Sequence, residues 1–458
     1  MAAAAQPVDG LLCRVPGLDG ELVSDPDVLA AAADDFGHTV HQRPIAVLRP
    51  GSVRDIVEIV RFARAHELAI AARGQGHSTF GQAQVDAGIV IDSSTLAKVR
   101  EVGVHGAVVE AGATWRAVVD ASVPLGLSPP TMPDYLDLSV GGTLTGGGMG
   151  GAAHRHGAQI DNVLELDVVT GAGELRHCSP TEHPELFNAA LGGLGQCAVI
   201  VQARVRLVPV RTTARLFTLP YGDVSTLLVD LRRLAFDERF DHVEAQAIRL
   251  PGGDFAFGVL AASYAPDPPD DATLLAGLAF DRGEMRITEL PYAAFLARID
   301  PLIAAQIASG AWRQPHPWLD LFIPGSAAGS YITGALRELP ASATSDGPIL
   351  IYPLRRSKLH RPLFRVPDEE LFFLFDVLRT APAQPAVVEA EIASNRSLYE
   401  RARDQGGKRY CIGSIPFSPG DWRDHFGPAF GELCEAKRRF DPDRILTPGQ
   451  GIFVARDD

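Results

Sequence analysis

The chain has 458 residues, enough for two or three domains, and its 46% hydrophobic and 21% charged composition excludes overall disorder or a fibre. A formal charge of −14 with scattered basic residues would repel phosphate backbones and argues against a nucleic-acid partner. Cys13, Cys178, Cys197, Cys411 and Cys434 stand far apart without a C-x-x-C pair, so neither a disulfide framework nor a zinc site is expected.

The first residues carry no positive segment and reach Asp9 before any useful apolar stretch, so no secretory signal is expected and the cytoplasm is the default location. Residues 44 to 100 read as strand, helix, strand, loop, strand. Ser52 followed by Asp55 predicts a capping box, and Val53, Ile56, Val57 and Val60 share one helical face. That helix should pack on strands near Ile45–Leu48, Leu68–Ala71 and Gly88–Ile91. The loop after the second strand is Ala72-Arg73-Gly74-Gln75-Gly76-His77-Ser78. Its glycines suit close approach of backbone N–H groups to a diphosphate, and equally suit a tight turn. His-Ser-Thr follows Gly76 where the usual dinucleotide fingerprint needs x-x-Gly, so a two-lobed nicotinamide fold is disfavoured.

Pro129-Pro130-Thr131-Met132-Pro133 leads into Asp134, which reads either as an acid beside a ligand or as a turn acid. Residues 140–151 hold seven glycines in twelve positions. Since each glycine costs about 1 kcal/mol relative to alanine in a helix, no stable helix or strand is expected there. The run lacks the Ser, Pro and charged filler of linkers, which favours backbone wrapped around a ligand. His154 and His156, taken as strand-like neighbours without further ligands, are poor evidence for metal. Residues 198–210 alternate with period two and are interrupted by Gln202, Arg204 and Arg206, which predicts a strand and not a membrane span.

Several separated motifs resemble cytokinin dehydrogenases, members of the vanillyl-alcohol oxidase and p-cresol methylhydroxylase class of flavoproteins. They are Asp134-Tyr135-Leu136, Val140-Gly141-Gly142-Thr143-Leu144, Arg155-His156-Gly157-Ala158-Gln159-Ile160, Asn162-Val163-Leu164-Glu165 and Leu191-Gly192-Gly193-Leu194-Gly195-Gln196. Further along come the segments at 315–324 and 351–354, and the stretch at 440–453 containing Thr447-Pro448-Gly449-Gln450. The resemblance implies an α+β fold: an FAD-binding domain of two α+β subdomains, formed by residues 1–210 and 412–458, with a substrate domain of antiparallel sheet and helices, residues 211–411, inserted between them.

The resemblance also implies site residues. His77 matches a histidine that holds FAD covalently, and Tyr135 stands where some of the wider class place a second, cysteine tether, so a single link is expected. Ala72, Gly74, Gln75, Gly76, Ser78 and Gln82 match the diphosphate loop; Ser139, Thr145, Met149 and Ile200 match further FAD contacts, and Tyr410, Thr447 and Gln450 match the closing C-terminal segment. Asp134 matches the acid that hydrogen-bonds the reacting amine, and Glu244 a substrate-contacting glutamate.

The implied reaction is FAD-dependent oxidative cleavage of adenines carrying an isoprenoid chain on the exocyclic amine, giving adenine and an aldehyde, with a quinone or dioxygen as electron acceptor. The alternative is a covalent-flavin oxidase of another amine or of an alcohol. No metal is required, and either a monomer or a homodimer would serve. Ala72 replaces a common aromatic, Gln75 a common Arg, Leu359 a common Trp and Ala245 a Gly, the last two leaving side-chain preference open.

Overall fold

The computed structural model describes residues 8–340 and 347–453. Strands Ala46–Arg49, Ile89–Asp92 and Ile70–Arg73 lie parallel in that order, and Glu21–Val23 adds antiparallel at the outer edge. The helix Val53–Ala65 covers this sheet, with Ile56, Ile59, Val60 and Ala63 against Ile70, Ile89 and Ile91. These elements match the expected strand–helix–strand–loop–strand order to within two residues. The expected capping box does not form. Ser52 Oγ instead donates to Asp19 at 2.7 Å, and the buried Asp55 carboxylate accepts the amides of Asp19, Gly20 and Gly51 at 2.8 to 2.9 Å. Three converging N–H donors satisfy the carboxylate better than one capping contact would.

A second, antiparallel sheet has the order Val99–Gly103, Gly106–Glu110, Ala198–Val205, Val163–Thr170, Leu175–Cys178. The predicted strand at 198–210 is its middle member as far as Val205, and Val208–Pro209 pairs separately with Leu127–Ser128. The glycine run departs from expectation: Val140–Gly146 is helical. Its first turn is fixed from outside, because the amides of Val140 and Gly141 donate to Ala113 O and Ala111 O at 2.8 Å. A Cβ on Gly141 would come within 2.7 Å of Ala111 Cβ, so close tertiary packing overrides low helix propensity. His154 and His156 also lie in a short helix, Ala153–His156, not in a strand.

The third sheet is antiparallel and eight-stranded: Arg286–Pro291, Thr213–Tyr221, Phe255–Ser263, His242–Arg249, Ile349–Arg355, Leu371–Val377, Leu319–Pro324, Lys408–Arg409. All eight strands come from residues 211–411, where the resemblance implies an antiparallel sheet. Its strand Leu371–Val377 is buried on both faces: Phe373 and Phe375 pack with the helices Val224–Asp237, Ala328–Glu338 and Pro385–Arg403, while Phe372 and Leu374 join the core shared with the second sheet. Two-sided burial removes the alternation that would have marked it as a strand. After Lys408–Arg409 the chain returns to the first sheet, where Ile70 exchanges hydrogen bonds of 2.7 Å with Ile445 and Thr447. No helix among the described residues is long and apolar enough to cross a membrane.

Candidate active site

The three sheets enclose a cavity of about 380 Å³. Ala72, Gly74, Gln75, Gly76, His77, Ser78, Gln82, Asp134, Ser139, Thr145, Met149, Ile200, Tyr410, Thr447 and Gln450 all contribute to its wall. Glu244 does not.

One end is built mainly from backbone. Ile70–Arg73 ends at the glycine loop, and Gly76 takes φ +68° over the Arg73 guanidinium, which a Cβ there would meet at 2.2 Å. Arg73 donates to Asp34 O, and the loop is tied to its neighbour by Phe36 N donating to Gly76 O at 2.9 Å. Asp35 braces the same region by accepting from Gly37 and Gly81; burial pushes its carboxyl up to about 6. Among the described residues, the amides of Gln75, Gly76, His77 and Ser78 meet no protein acceptor. A row of such N–H groups at a glycine turn fits a diphosphate. The C-terminal segment closes over this end: Thr447 Oγ1 donates to Gly195 O at 2.9 Å, Trp422 Nε1 to Gln450 O at 2.9 Å, and Tyr410 OH accepts Gly148 N at 3.1 Å.

His77 lies between the two ends in an aromatic cluster. Its ring stacks on Phe36 with centroids 4.1 Å apart, Phe36 stacks on His316 at 4.0 Å, and Tyr135, Trp312 and Trp318 surround His77 at 5.0 to 5.7 Å. Desolvation, with help from His316, lowers its pKa to about 3, so the imidazole is neutral although one edge faces the cavity.

The other end is built from side chains. Arg298 Nη2 lies 2.5 Å from Asp134 Oδ1 and 2.7 Å from Glu244 Oε2; Tyr352 OH donates to Asp134 and lies 3.2 Å from Glu244 Oε2. His242 Nε2 is 3.0 Å from the same Glu244 oxygen. Burial alone would raise the Glu244 carboxyl, but Arg298 and His242 outweigh it and hold the group well below its ordinary range. Burial and the two neighbouring carboxylates raise the Tyr352 phenol, which therefore stays a donor. Asp134, His242 and Glu244 bring ligand atoms within 4.8 Å of one another, and Arg298 bridges the two carboxylates of that group.

This two-ended cavity has counterparts. A family model described as "FAD binding domain" matches residues 44–179, and one described as "Cytokinin dehydrogenase 1, FAD and cytokinin binding" matches residues 270–453. Cytokinin dehydrogenase 10 of Oryza sativa subsp. japonica is 35% identical over 94% of this chain and 88% of its own length; cytokinin dehydrogenase 4 of Arabidopsis thaliana is 35% identical over 94% and 92%. The chain belongs to the cytokinin dehydrogenase family. An "uncharacterized oxidoreductase ORF5 in fasciation locus" from Rhodococcoides fascians is 39% identical over 92% of the chain and 96% of that protein. The structure of 6-hydroxy-D-nicotine oxidase from Arthrobacter nicotinovorans shares the fold, with a TM-score of 0.73, 21% identity, and coverage of 97% and 98%.

As a member of this family the protein is an FAD-dependent oxidoreductase with the expected α+β fold. Glu244, expected to contact substrate, sits behind Asp134, buried and joined to it through Arg298 and Tyr352. Arg298 escaped sequence reading because nothing in Leu296-Ala297-Arg298-Ile299 distinguishes it from an ordinary surface arginine. Tyr352 and Trp318 lay inside quoted motifs, but only the fold turns them toward the cavity. Also missed were Asp320 and Asp376, two acids of the cavity wall that stand opposite one another on adjacent strands. His154 is fully buried between Gly151 O at 2.9 Å and Phe240 O at 3.2 Å, which gives it a structural place. All five cysteines are free, and burial pushes Cys178 and Cys197 up to about 12.

Proposed function

We propose that the protein cleaves N6-substituted adenines of the cytokinin type oxidatively, yielding adenine and an aldehyde. The observation that carries this reading is Asp134: a carboxylate in the wall of an FAD-family cavity, gripped by Arg298 and Tyr352 so that its position is set before a ligand arrives. Bound FAD supplies a two-electron oxidant able to take hydride from the C–H bond next to the amine nitrogen.

Asp134 accepts the hydrogen bond of the substrate N–H, orients that nitrogen and stabilises the positive charge developing on it. Such general-base and electrostatic action contributes about 10²- to 10⁴-fold. Arg298 and Glu244 form a fixed charge pair behind it, which keeps Asp134 from turning away. The resulting imine then takes up water and divides. Trp312, Trp318 and the apolar face of Leu350, Leu374 and Leu378 give a flat heteroaromatic ring a dry surface.

His77 is the residue that would hold FAD through a single covalent link, a role supported by its neutral imidazole in the cavity wall. A quinone or dioxygen would accept the electrons.

The test is anaerobic mixing with isopentenyladenine, followed by flavin absorbance. Bleaching with release of adenine is expected. No bleaching with isopentenyladenine, but bleaching with another amine or an alcohol, would overturn the substrate assignment. Acid-denatured protein should keep its yellow colour and yield a His77 peptide carrying the flavin mass, whereas complete release of FAD would refute the tether.

A further inference from the structure

The residues of the eight-stranded sheet that line the cavity are Leu350, Leu374, Tyr352 and two acids. Asp320 and Asp376 are directly paired in register, and Asp376 is also opposite Leu350. Asp320 is fully buried and Asp376 is 6% exposed. Neither oxygen of Asp320, nor Oδ1 of Asp376, meets a donor among the described residues. The nearest cation, Arg409 on the adjoining strand, spends its guanidinium on Ile415 O at 3.1 Å and Gly413 O at 3.0 Å. Of the other ionisable groups that face the pair, Asp134 works against a second negative charge there, while the Tyr410 phenol, itself raised by burial and by the two acids, stays neutral. Two ionised carboxylates cannot persist side by side in such a site, so a proton must lie between them.

We propose that Asp320 and Asp376 hold one proton and together bind the ring edge of a nitrogen heteroaromatic substrate, the protonated acid turning its O–H from the other carboxylate to a ring nitrogen and the ionised one accepting a neighbouring N–H. This deepens, and rests on, the reading of Asp134 as the amine-binding acid. Tyr352, which holds Asp134, pairs with Leu374, two residues along the strand from Asp376. Diagonal neighbours of that kind lie roughly 7–8 Å apart, so Tyr352, with the Asp134 it holds, and the acid pair face the same cavity as two polar points for one fused ring, its exocyclic amine at Asp134 and its far edge at the pair. The unpartnered oxygens mark the second place in the wall where a ligand's polar groups are needed, since an unmet buried acceptor is costly. Burial raises Asp320 to about 7 and, with the charge of Asp320, raises Asp376 further, so the singly protonated pair forms as pH rises through about 7 and persists above it.

Adenine binding to the FAD-loaded protein, read from perturbation of the flavin spectrum, tests this without turnover. Wild-type affinity should rise about fivefold from pH 6 to pH 8.5 as a charge-assisted acceptor forms. Asp320→Asn, whose amide offers a donor and an acceptor, should bind adenine at nearly the wild-type level with no pH dependence; Asp320→Ala should bind about tenfold more weakly at pH 8.5. Should the alanine variant fail to fold, the flattened profile of Asp320→Asn decides. A pH-independent wild type, an unchanged alanine variant, or failure of wild type to bind adenine would overturn the proposal. So would an Asp320→Asn protein whose flavin potential shifts while adenine affinity keeps its pH dependence, which would make the pair a flavin contact. Adenine binding with the expected profile, but no turnover of isopentenyladenine, would leave the pair standing and refute only the reaction.

Discussion

The two ends of the cavity are made of different materials. At the loop of residues 74–78 the working groups are backbone amides, presented by a turn that Gly76 makes possible and closed by chain from the far C-terminus. Around Asp134 the working groups are side chains, brought from residues 134, 242, 244, 298 and 352 into one connected charge network. The first end depends on conformation, so most side-chain changes there are tolerable. The second depends on the balance of buried charge, where removing Arg298 leaves two acids without the cation that bridges them.

Four outcomes would sharpen or break that contrast. Asp134→Ala should lower the rate of flavin bleaching by about 10²- to 10⁴-fold while FAD stays bound; an unchanged rate in stopped-flow measurements would remove Asp134 from the chemistry. Arg298→Met leaves Glu244 buried beside Tyr352 without its cation and should destabilise the fold by about 3–5 kcal/mol in denaturant titration. An unaltered midpoint would mean that the network relaxes and that its charges are not tightly held.

The third outcome is a pH dependence. Because Asp320 is raised to about 7, the folded state keeps a proton that the unfolded chain releases near its ordinary value of 3.8. The folded state therefore binds more protons within that window, and stability falls as pH rises through it. Asp320→Asn cannot titrate there, so its stability relative to wild type should improve between pH 5 and pH 8, by on the order of 2 kcal/mol. Parallel melting curves at both pH values would refute the assignment. The smallest effect belongs to the backbone end: Gly76→Ala should cost about 1–2 kcal/mol for its left-handed conformation and reduce FAD retention, with the Asp134 network undisturbed. If Gly76→Ala instead abolished turnover with FAD fully bound, the separation of the two ends would fail.

Much of the backbone end was legible beforehand. Glycine density and a histidine in the loop after a strand are local signals, while the individual cofactor residues came from the family resemblance; all of them lie in the cavity wall. Asp134 was legible only as one of two readings, because an acid after proline is equally at home in a turn. Arg298, Asp320 and Asp376 were not legible: no local pattern marks them, and their significance arises from partners 54 to 164 residues away. Ser52 and the helix Val140–Gly146 show the same limit in the fold, since tertiary donors at Asp19, Ala111 and Ala113 decided both against local propensity.

By itself the sequence determined the periodic elements, the glycine loop at residues 74–78 and the order of motifs, because those follow from local sterics and from side-chain spacing along one chain. The tertiary structure alone decided which charges meet. It set Arg298 between Asp134 and Glu244 and paired Asp320 with Asp376, since Coulomb interactions and desolvation depend on distance in space and on burial, neither of which is written in spacing along the chain.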